Sequence, residues 1–266
     1  MLDEEIDLRE DKAKEIEVTD GEIEFRHVYF KYKKEAAEYV LSDINLHIRA
    51  GETVGIVGQT GSAKTTLVQL IPRLYDISSG ELLIDGHPVD EYPLKHLRDA
   101  VAVVLQKNTL FSGTLRENLL WGDENATQEE IEEACRIAGA DEFIDRLEKG
   151  YDTEMGQGGV NVSGGQKQRL CIARAILKKP KVMILDDSTS AVDTATEARI
   201  RGMLAEKLPH MTKIIIAQRI SSVRHADQIV VLDDGKIRGT GTHEELLAGN
   251  EIYQEIYESQ KEGADL

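Results

Sequence analysis

The feature that most constrains this chain is the run Thr53-Val54-Gly55-Ile56-Val57-Gly58-Gln59-Thr60-Gly61-Ser62-Ala63-Lys64-Thr65-Thr66. A short apolar strand pattern ends in a glycine-rich turn, Lys-Thr-Thr follows, and Leu67, Leu70 and Ile71 then recur at helical spacing. That order wraps backbone N–H groups and a helix N-terminus around one point, which suits a polyphosphate. Lys64 adds a cation for the terminal phosphates, and the Thr65 hydroxyl is a candidate Mg2+ ligand. Ala63 stands where this loop pattern ordinarily has its last glycine. Its methyl is tolerable if the residue has helical φ, so phosphate binding is expected to survive. The plainer alternative is a turn between a strand and a helix that binds nothing.

At 266 residues the chain suits one large domain or two small ones and can bury a real core. Its 32 basic residues face 49 acidic ones, a net charge of −17. A phosphate backbone needs a basic face, so the balance argues against nucleic acid as a partner. Cys135 and Cys171 fall in helical patterns and read as small core residues, not as a disulfide or metal site. No run approaches about 18 apolar residues and no signal peptide is visible. The chain itself is therefore expected to be soluble, with a membrane partner left open.

Residues 1–20 are charge-dense with little periodicity and are expected to form a linker or ragged N-terminus. Ordered structure is expected from Glu22, with strand patterns at Ile23, Phe25 and Val28 and again from Val40 to Ile48. Past the loop helix, Glu81–Ile84 reads as a strand, Asp85-Gly86 as a tight turn, and Val101–Leu105 as a buried strand ending at Gln106. Helical periodicity dominates from about 107 to 180; its last helix opens at Ser163-Gly164-Gly165-Gln166 and stops at Pro180. Three apolar strands follow, Val182–Leu185, Ile214–Ala217 and Ile229–Leu232, and then one amphipathic helix carrying Leu246, Leu247, Ile252, Tyr253 and Ile256. Short apolar strands alternating with helices indicate an α/β fold with a mostly parallel sheet, in a domain spanning 21–260 with a tail at 261–266.

The strand Val182–Leu185 delivers Asp186 at its end, and a carboxylate there, beside a phosphate loop, can hold Mg2+ through water. Alone, Asp186 would be an ordinary strand-terminal turn residue. Ser163, Gly164, Gly165 and Gln166 combine an N-cap serine, two glycines and an amide. They form either a second anion-binding helix start or a plain capped helix. One ATP has one triphosphate, so two such helix ends suggest that the second serves a nucleotide held by another subunit.

With these motifs in hand, about residues 22–258 resemble the nucleotide-binding domain of an ATP-binding-cassette (ABC) transporter of the exporter type. The resemblance rests on the Walker A-like loop 58–66, the Q-loop residue Gln106, the signature 163–166 and the Walker B strand 182–186. It also rests on the D-loop Ser190-Ala191-Val192-Asp193 and the switch segment Ala217-Gln218-Arg219. The stretch Phe111-Ser112-Gly113-Thr114-Leu115-Arg116-Glu117-Asn118 is similar to the exporter subclass in particular. The resemblance implies a P-loop NTPase core with an antiparallel β subdomain and a helical subdomain at about 107–180. It implies ATP and Mg2+ as ligands, with Thr65, Gln106 and Asp186 around the metal. Tyr32 matches the adenine-stacking residue, with Tyr29 as the fallback and a strand core position as the bland alternative. A second ABC nucleotide-binding domain is implied as a head-to-tail partner, and a transmembrane domain is expected ahead of residues 1–20 in a longer half-transporter. A separately encoded subunit is the alternative; either way the chain would sit at the cytoplasmic face of the cell membrane.

The departures from the family pattern are as informative. The family's general base is Glu; here it is Asp187, one methylene shorter. Retracting a base by about 1 Å costs on the order of 10²-fold. The switch residue, ordinarily His, is Gln218, which can hydrogen-bond a γ-phosphate but cannot carry a proton. In the loop before the signature, Gln157 stands where exporters usually have Glu. Asp187, Gln218 and Ala63 all belong to the chain's own ATP site, whereas Ser163–Gln166 and Asp193, donated to a partner's ATP, are intact. That distribution resembles the degenerate-site half of a heterodimeric multidrug-type exporter, in which this chain holds ATP and splits it slowly. A non-catalytic ATP-dependent clamp that regulates its partner is the alternative expectation.

Overall fold

The computed structural model describes residues 8, 10–156, 159, 161–186 and 192–262. The chain opens with β1 (Ile23–Phe30), β2 (Leu41–Ile48), β3 (Thr53–Val57), α1 (Lys64–Gln69), β4 (Ser79–Ile84), β5 (His87–Pro88) and α2 (Leu94–Ala100). The middle contains β6 (Val101–Val104), β7 (Gly113–Thr114), α3 (Leu115–Leu120), α4 (Gln128–Ile137), α5 (Asp141–Ile144), β8 (Glu154–Met155) and α6 (Gly164–Leu177). The last third contains β9 (Val182–Asp186), α7 (Thr194–Lys207), β10 (Thr212–Ile216), α8 (Ile220–Val223), β11 (Gln228–Asp233), β12 (Lys236–Gly241), α9 (His243–Gly249) and α10 (Glu251–Glu262).

The central sheet has six strands in the order β12-β11-β3-β10-β9-β6, parallel except for β12 at one edge. A four-stranded antiparallel sheet, β2-β1-β4-β5, packs on one face of it. Helices α3, α4 and α6 and the short β7–β8 pair lie between β6 and β9 in the chain and cover the other face. The α/β class with mixed sheets therefore holds.

Strand alternation explains why the apolar runs have no polar partner face. In β9, Val182 and Ile184 enter the core shared with the antiparallel sheet, while Met183 and Leu185 enter the core under the helices. In β10, Ile214 and Ile216 face one core and Ile215 the other. Successive side chains point to opposite faces, so a strand buried on both sides reads as a continuous apolar run. Each fully buried Ile or Leu in these strands contributes about 1.5–3 kcal/mol. Gly55 in β3 is needed for a different reason: a Cβ there would lie 2.5 Å from the Val223 Cβ, so α8 packs directly on that backbone.

Helix starts follow their caps. Thr114, Thr127, Ser163 and Thr242 each accept from the backbone N–H three residues on, and Glu117, Glu130, Gln166 and Glu245 return the bond. Such reciprocal caps satisfy two otherwise orphaned N–H groups at each helix. Cys135 and Cys171 are buried free thiols, and burial pushes the Cys135 thiol up to about 12. No helix among the described residues is long and apolar enough to cross a membrane.

Two expectations need correction. The N-terminal stretch does not behave as a free linker over its described part. The Lys14 N–H donates to the Glu91 carbonyl at 2.7 Å, and the Asp85 carboxylate accepts from the N–H groups of Thr19, Asp20, Gly21 and Glu22. Val18 is buried beside the antiparallel sheet. Charge density misled here because backbone hydrogen bonds and one valine, not periodicity, hold the segment. The C-terminal amphipathic helix is two helices, broken at Asn250, whose backbone is extended. The Asn250 side chain accepts from the Tyr253 N–H at 2.9 Å and thereby starts the second helix.

Candidate nucleotide site

The carboxyl ends of β3, β6, β9 and β10 lead into one open cleft of about 860 Å³. Ligands in parallel α/β sheets bind beyond that edge. The cleft is lined by the whole loop from Gly58 to Thr66, by Gln106 after β6, by Asp186 at the end of β9 and by Gln218 after β10. The six-stranded sheet thus brings together residues that the sequence scatters over 160 positions.

The loop is shaped by close contact. A Cβ at Gly58 would fall 2.0 Å from the Leu232 carbonyl oxygen of β11, so only glycine fits. The Ser62 N–H donates to the Gln59 carbonyl at 3.2 Å and closes a turn. The Lys64 ammonium lies across the loop, donating to the carbonyls of Gly58 at 2.7 Å and Gln59 at 2.8 Å and to the Ser62 hydroxyl at 3.2 Å. Its charge therefore sits at the loop and lines the cleft, where phosphate oxygens would meet it.

Thr65 and Asp186 meet although 121 residues separate them: the threonine hydroxyl donates to the carboxylate at 3.0 Å. Asp186 is 9% exposed. Burial pushes its carboxyl above the usual range, and the Thr65 hydrogen bond and the Lys64 charge oppose that shift. A buried carboxylate next to a hydroxyl is a hard-oxygen pair that fits Mg2+. Among the described residues no group of three or more His, Cys, Asp and Glu can hold an ion. A metal here would take its remaining ligands from phosphate oxygens and water, as Mg2+ commonly does.

Ala63 departs from the expectation of helical φ. Its φ is 72° and ψ 23°, in the left-handed region, and it makes no side-chain cap at the start of α1. The position is thus one that glycine takes without strain, while alanine costs about 1–2 kcal/mol. Replacing Ala63 by glycine is expected to leave the fold unchanged and raise the urea unfolding free energy by up to about 1 kcal/mol. The gain stays below the strain because glycine loses more chain entropy on folding. A lower unfolding midpoint would show that the Ala63 methyl, which packs against Leu67 and its neighbours in the core, outweighs the backbone strain.

The other sites of interest lie apart from the cleft wall. Tyr32 sits beyond the end of β1 and is 51% exposed, so it is not a strand core residue. Its hydroxyl shares a 2.8 Å hydrogen bond with Thr66 of the loop helix, and its ring meets Phe30 and Tyr75 edge to face. Tyr29 packs on Tyr39 instead. Ser163 and Gln166 form the capping box of α6, and Gly164 and Gly165 make its first turn at the surface. None of the four lines the cleft. The Asp193 carboxylate accepts from the Thr196 N–H at 2.9 Å at the start of α7, which holds it below the usual carboxylate range. Asp187, Gln157, Ser190 and Ala191 lie outside the described residues.

Sequence reasoning missed one wall of the cleft. Ile256, Ser259 and Gln260 of α10 line it together with Glu255. The only sequence signal was the amphipathic spacing of that helix, which says that one face packs but not against what.

Comparison with known proteins agrees with this geometry. The family model described as "ABC transporter" matches residues 41–190. A putative multidrug export ATP-binding/permease protein of Staphylococcus aureus (strain NCTC 8325 / PS 47) is 46% identical over 261 residues, 98% of this chain. Its counterpart in strain Mu50 matches equally, and the chain spans 45% of the length of these relatives. A solved structure of a bacterial Atm1-family ABC exporter with ATP bound superposes with a TM-score of 0.89 at 36% identity, covering 93% of this chain and 43% of that one. The loop, the strand-end carboxylate and the capped start of α6 all fall within the residues that this family model matches, and the chain belongs to the ABC transporter family.

Proposed function

We propose that this chain is the ATP-binding part of an ABC exporter, working at the cytoplasmic face of a membrane. Its own loop holds ATP with Mg2+ and hydrolyses it slowly. Its Ser163–Gln166 helix start completes a competent ATP site on a second, non-identical nucleotide-binding domain. The observation that carries this reading is the separation of the two helix starts. The 58–66 loop lines the cleft with Lys64, Thr65 and Asp186, while Ser163–Gln166 lies outside it with its helix end facing solvent. One triphosphate fills the first; the second is left for a nucleotide on another chain.

An exposed apolar patch supports the same reading. Phe111 and Trp121 stack at 4.5 Å between ring centroids and are 44% and 68% exposed. Val103 and Leu105 beside them are also exposed, and all four line one shallow groove next to Gln106. Exposed apolar patches of this kind mark interaction sites. The relatives named above are described as ATP-binding/permease proteins about twice this length, so the proposed occupant is a membrane domain of the same polypeptide or complex.

The test is ATP turnover of the chain alone and mixed with a second cassette that has Glu and His where this chain has Asp187 and Gln218. The expected result is little turnover alone and a rise of at least about tenfold in the mixture, lost again when Ser163 is changed to Arg. Turnover of about 1 s−1 or more by the chain alone, in the ordinary enzyme range, would rule out a slow own site.

A further inference from the structure

We propose that Gln260, on the C-terminal helix α10, is a positioning residue that holds the Gln218 segment at the ATP cleft. The inference rests on the reading that ATP binds at Lys64 with its terminal phosphate toward Gln218.

The geometry is a two-point brace. The Gln260 Nε2 donates to the Gln218 carbonyl at 2.7 Å, and its Oε1 accepts from the Ile220 N–H at 2.9 Å. A single side-chain amide therefore spans the backbone on both sides of Arg219, bonding residues 42 and 40 positions away in the chain. The bridged backbone needs such a partner. Ile220 opens α8, and the preceding Arg219 makes no side-chain cap. The first N–H groups of a helix have no partner within it, so Gln260 supplies from another helix the cap that α8 lacks.

Both ends of the brace are anchored. At the far end, Ile220 and Val223 are buried, and Val223 packs on Gly55 of the strand that leads into the phosphate loop. At the near end, α10 is held by Asn250, whose Nδ2 donates to the Arg238 carbonyl of β12 at 3.0 Å. Tyr253 is fully buried and shares a 2.8 Å hydrogen bond with His243 of α9. Gln254 adds a bond to the Leu247 carbonyl at 2.7 Å. The helix is thus fixed to the body through β12 and α9, and its last turn fixes the switch segment. Gln218 and Gln260 both line the cleft. With its carbonyl pinned toward α10, Gln218 has its backbone direction set before any nucleotide arrives. Preorganisation of that kind raises affinity by lowering the ordering cost of binding.

A positioning role and a mere staple between two helices differ in one measurable way. ADP lacks the phosphate that Gln218 would face. Losing the brace should therefore weaken ATP and spare ADP, whereas a staple alters both alike. Gln260→Ala is expected to weaken ATP binding about fivefold, the size of one net hydrogen bond, with ADP affinity changed less than twofold. In a Gln218→Ala background the same change should have no further effect on ATP, because the two residues act as one unit. Gln260→Glu has nearly the same shape and separates the two bonds. It keeps an acceptor for the Ile220 N–H but sets an oxygen against the Gln218 carbonyl. It should preserve slow amide exchange at Ile220 and still lose the ATP-over-ADP preference. In Gln260→Ala, Ile220 exchange should accelerate more than tenfold while Ile215 in β10 stays protected.

Equal weakening of ATP and ADP, additivity with Gln218→Ala, or unchanged exchange at Ile220 in Gln260→Ala would each overturn the brace. A wild-type chain that binds neither nucleotide would instead overturn the ATP reading of the cleft. The exchange rate at Ile220 would then still decide whether the brace exists.

Discussion

Changing Lys64 to alanine is expected to weaken ATP binding by at least about 100-fold while leaving the unfolding free energy within about 1 kcal/mol of the parent. The two parts of that expectation come from the same bonds. In the structure, the ammonium donates to two loop carbonyls and to the Ser62 hydroxyl. Water can replace the ammonium at the carbonyls of Gly58 and Gln59, which are not buried residues, so the net worth of these bonds to stability is small. With a triphosphate in the loop, the same donors meet anionic oxygens inside a partly enclosed ring. A hydrogen bond to a charged group contributes about 1.5–3 kcal/mol, and losing two of them gives the stated factor or more. Lys64→Arg should recover little, because a planar five-donor fork cannot enter a loop whose walls are the Gly58 and Gln59 carbonyls. Titration calorimetry with ATP–Mg2+ and a urea melt of the same sample would check both halves. Affinity within tenfold of the parent would mean that the backbone N–H groups bind the phosphates unaided.

The chain shows where sequence reasoning reaches and where it stops. The runs Val182–Leu185, Ile214–Ala217 and Ile229–Leu232 announced a doubly covered sheet, because only strands buried on both faces lack polar alternation. Their order with the loop placed Asp186 beside Thr65, and the structure closes that pair to 3.0 Å. Local motifs carried this because strand ends and helix starts are themselves local. What failed depended on backbone angles or on distant packing. The conformation of Ala63 could not be read from its identity, since the glycine pattern indicates a site but not the φ of a substitute. The segment from Glu10 to Asp20 looked unstructured by charge, yet it is tied by Asp85 and Glu91 through backbone donors that every residue possesses. The contribution of α10 to the cleft needed the three-dimensional path of β11, β12 and α9, which returns the chain to the carboxyl edge of the sheet. Gln260 is one of two glutamines on a charged helix, and no spacing rule points at it.

Restoring Asp187 to glutamate and Gln218 to histidine together is expected to raise ATP turnover of this chain by about 10- to 100-fold, with each single change giving much less. A general base must lie within hydrogen-bond distance of the water it activates, and one methylene shortens the side chain by about 1 Å. Asp187 directly follows Asp186 in the chain, and the Thr65 bond holds Asp186 at the edge of the cleft. Gln218 lines the same cleft and is an amide, able to donate a hydrogen bond but not to take up or carry a proton. An imidazole there could do both near neutral pH. The two positions act on one transition state, so their effects should be strongly non-additive. Ala63 need not change, because its left-handed φ already permits the Lys64 geometry. Single-turnover hydrolysis and ATP affinity of the parent, both single variants and the double variant would decide the matter. If the double variant binds ATP as tightly as the parent and its turnover stays flat, these two side chains are not what limits the chemistry. The limit would then lie in the pairing geometry, with Ser163–Gln166 of one copy failing to reach the nucleotide of another.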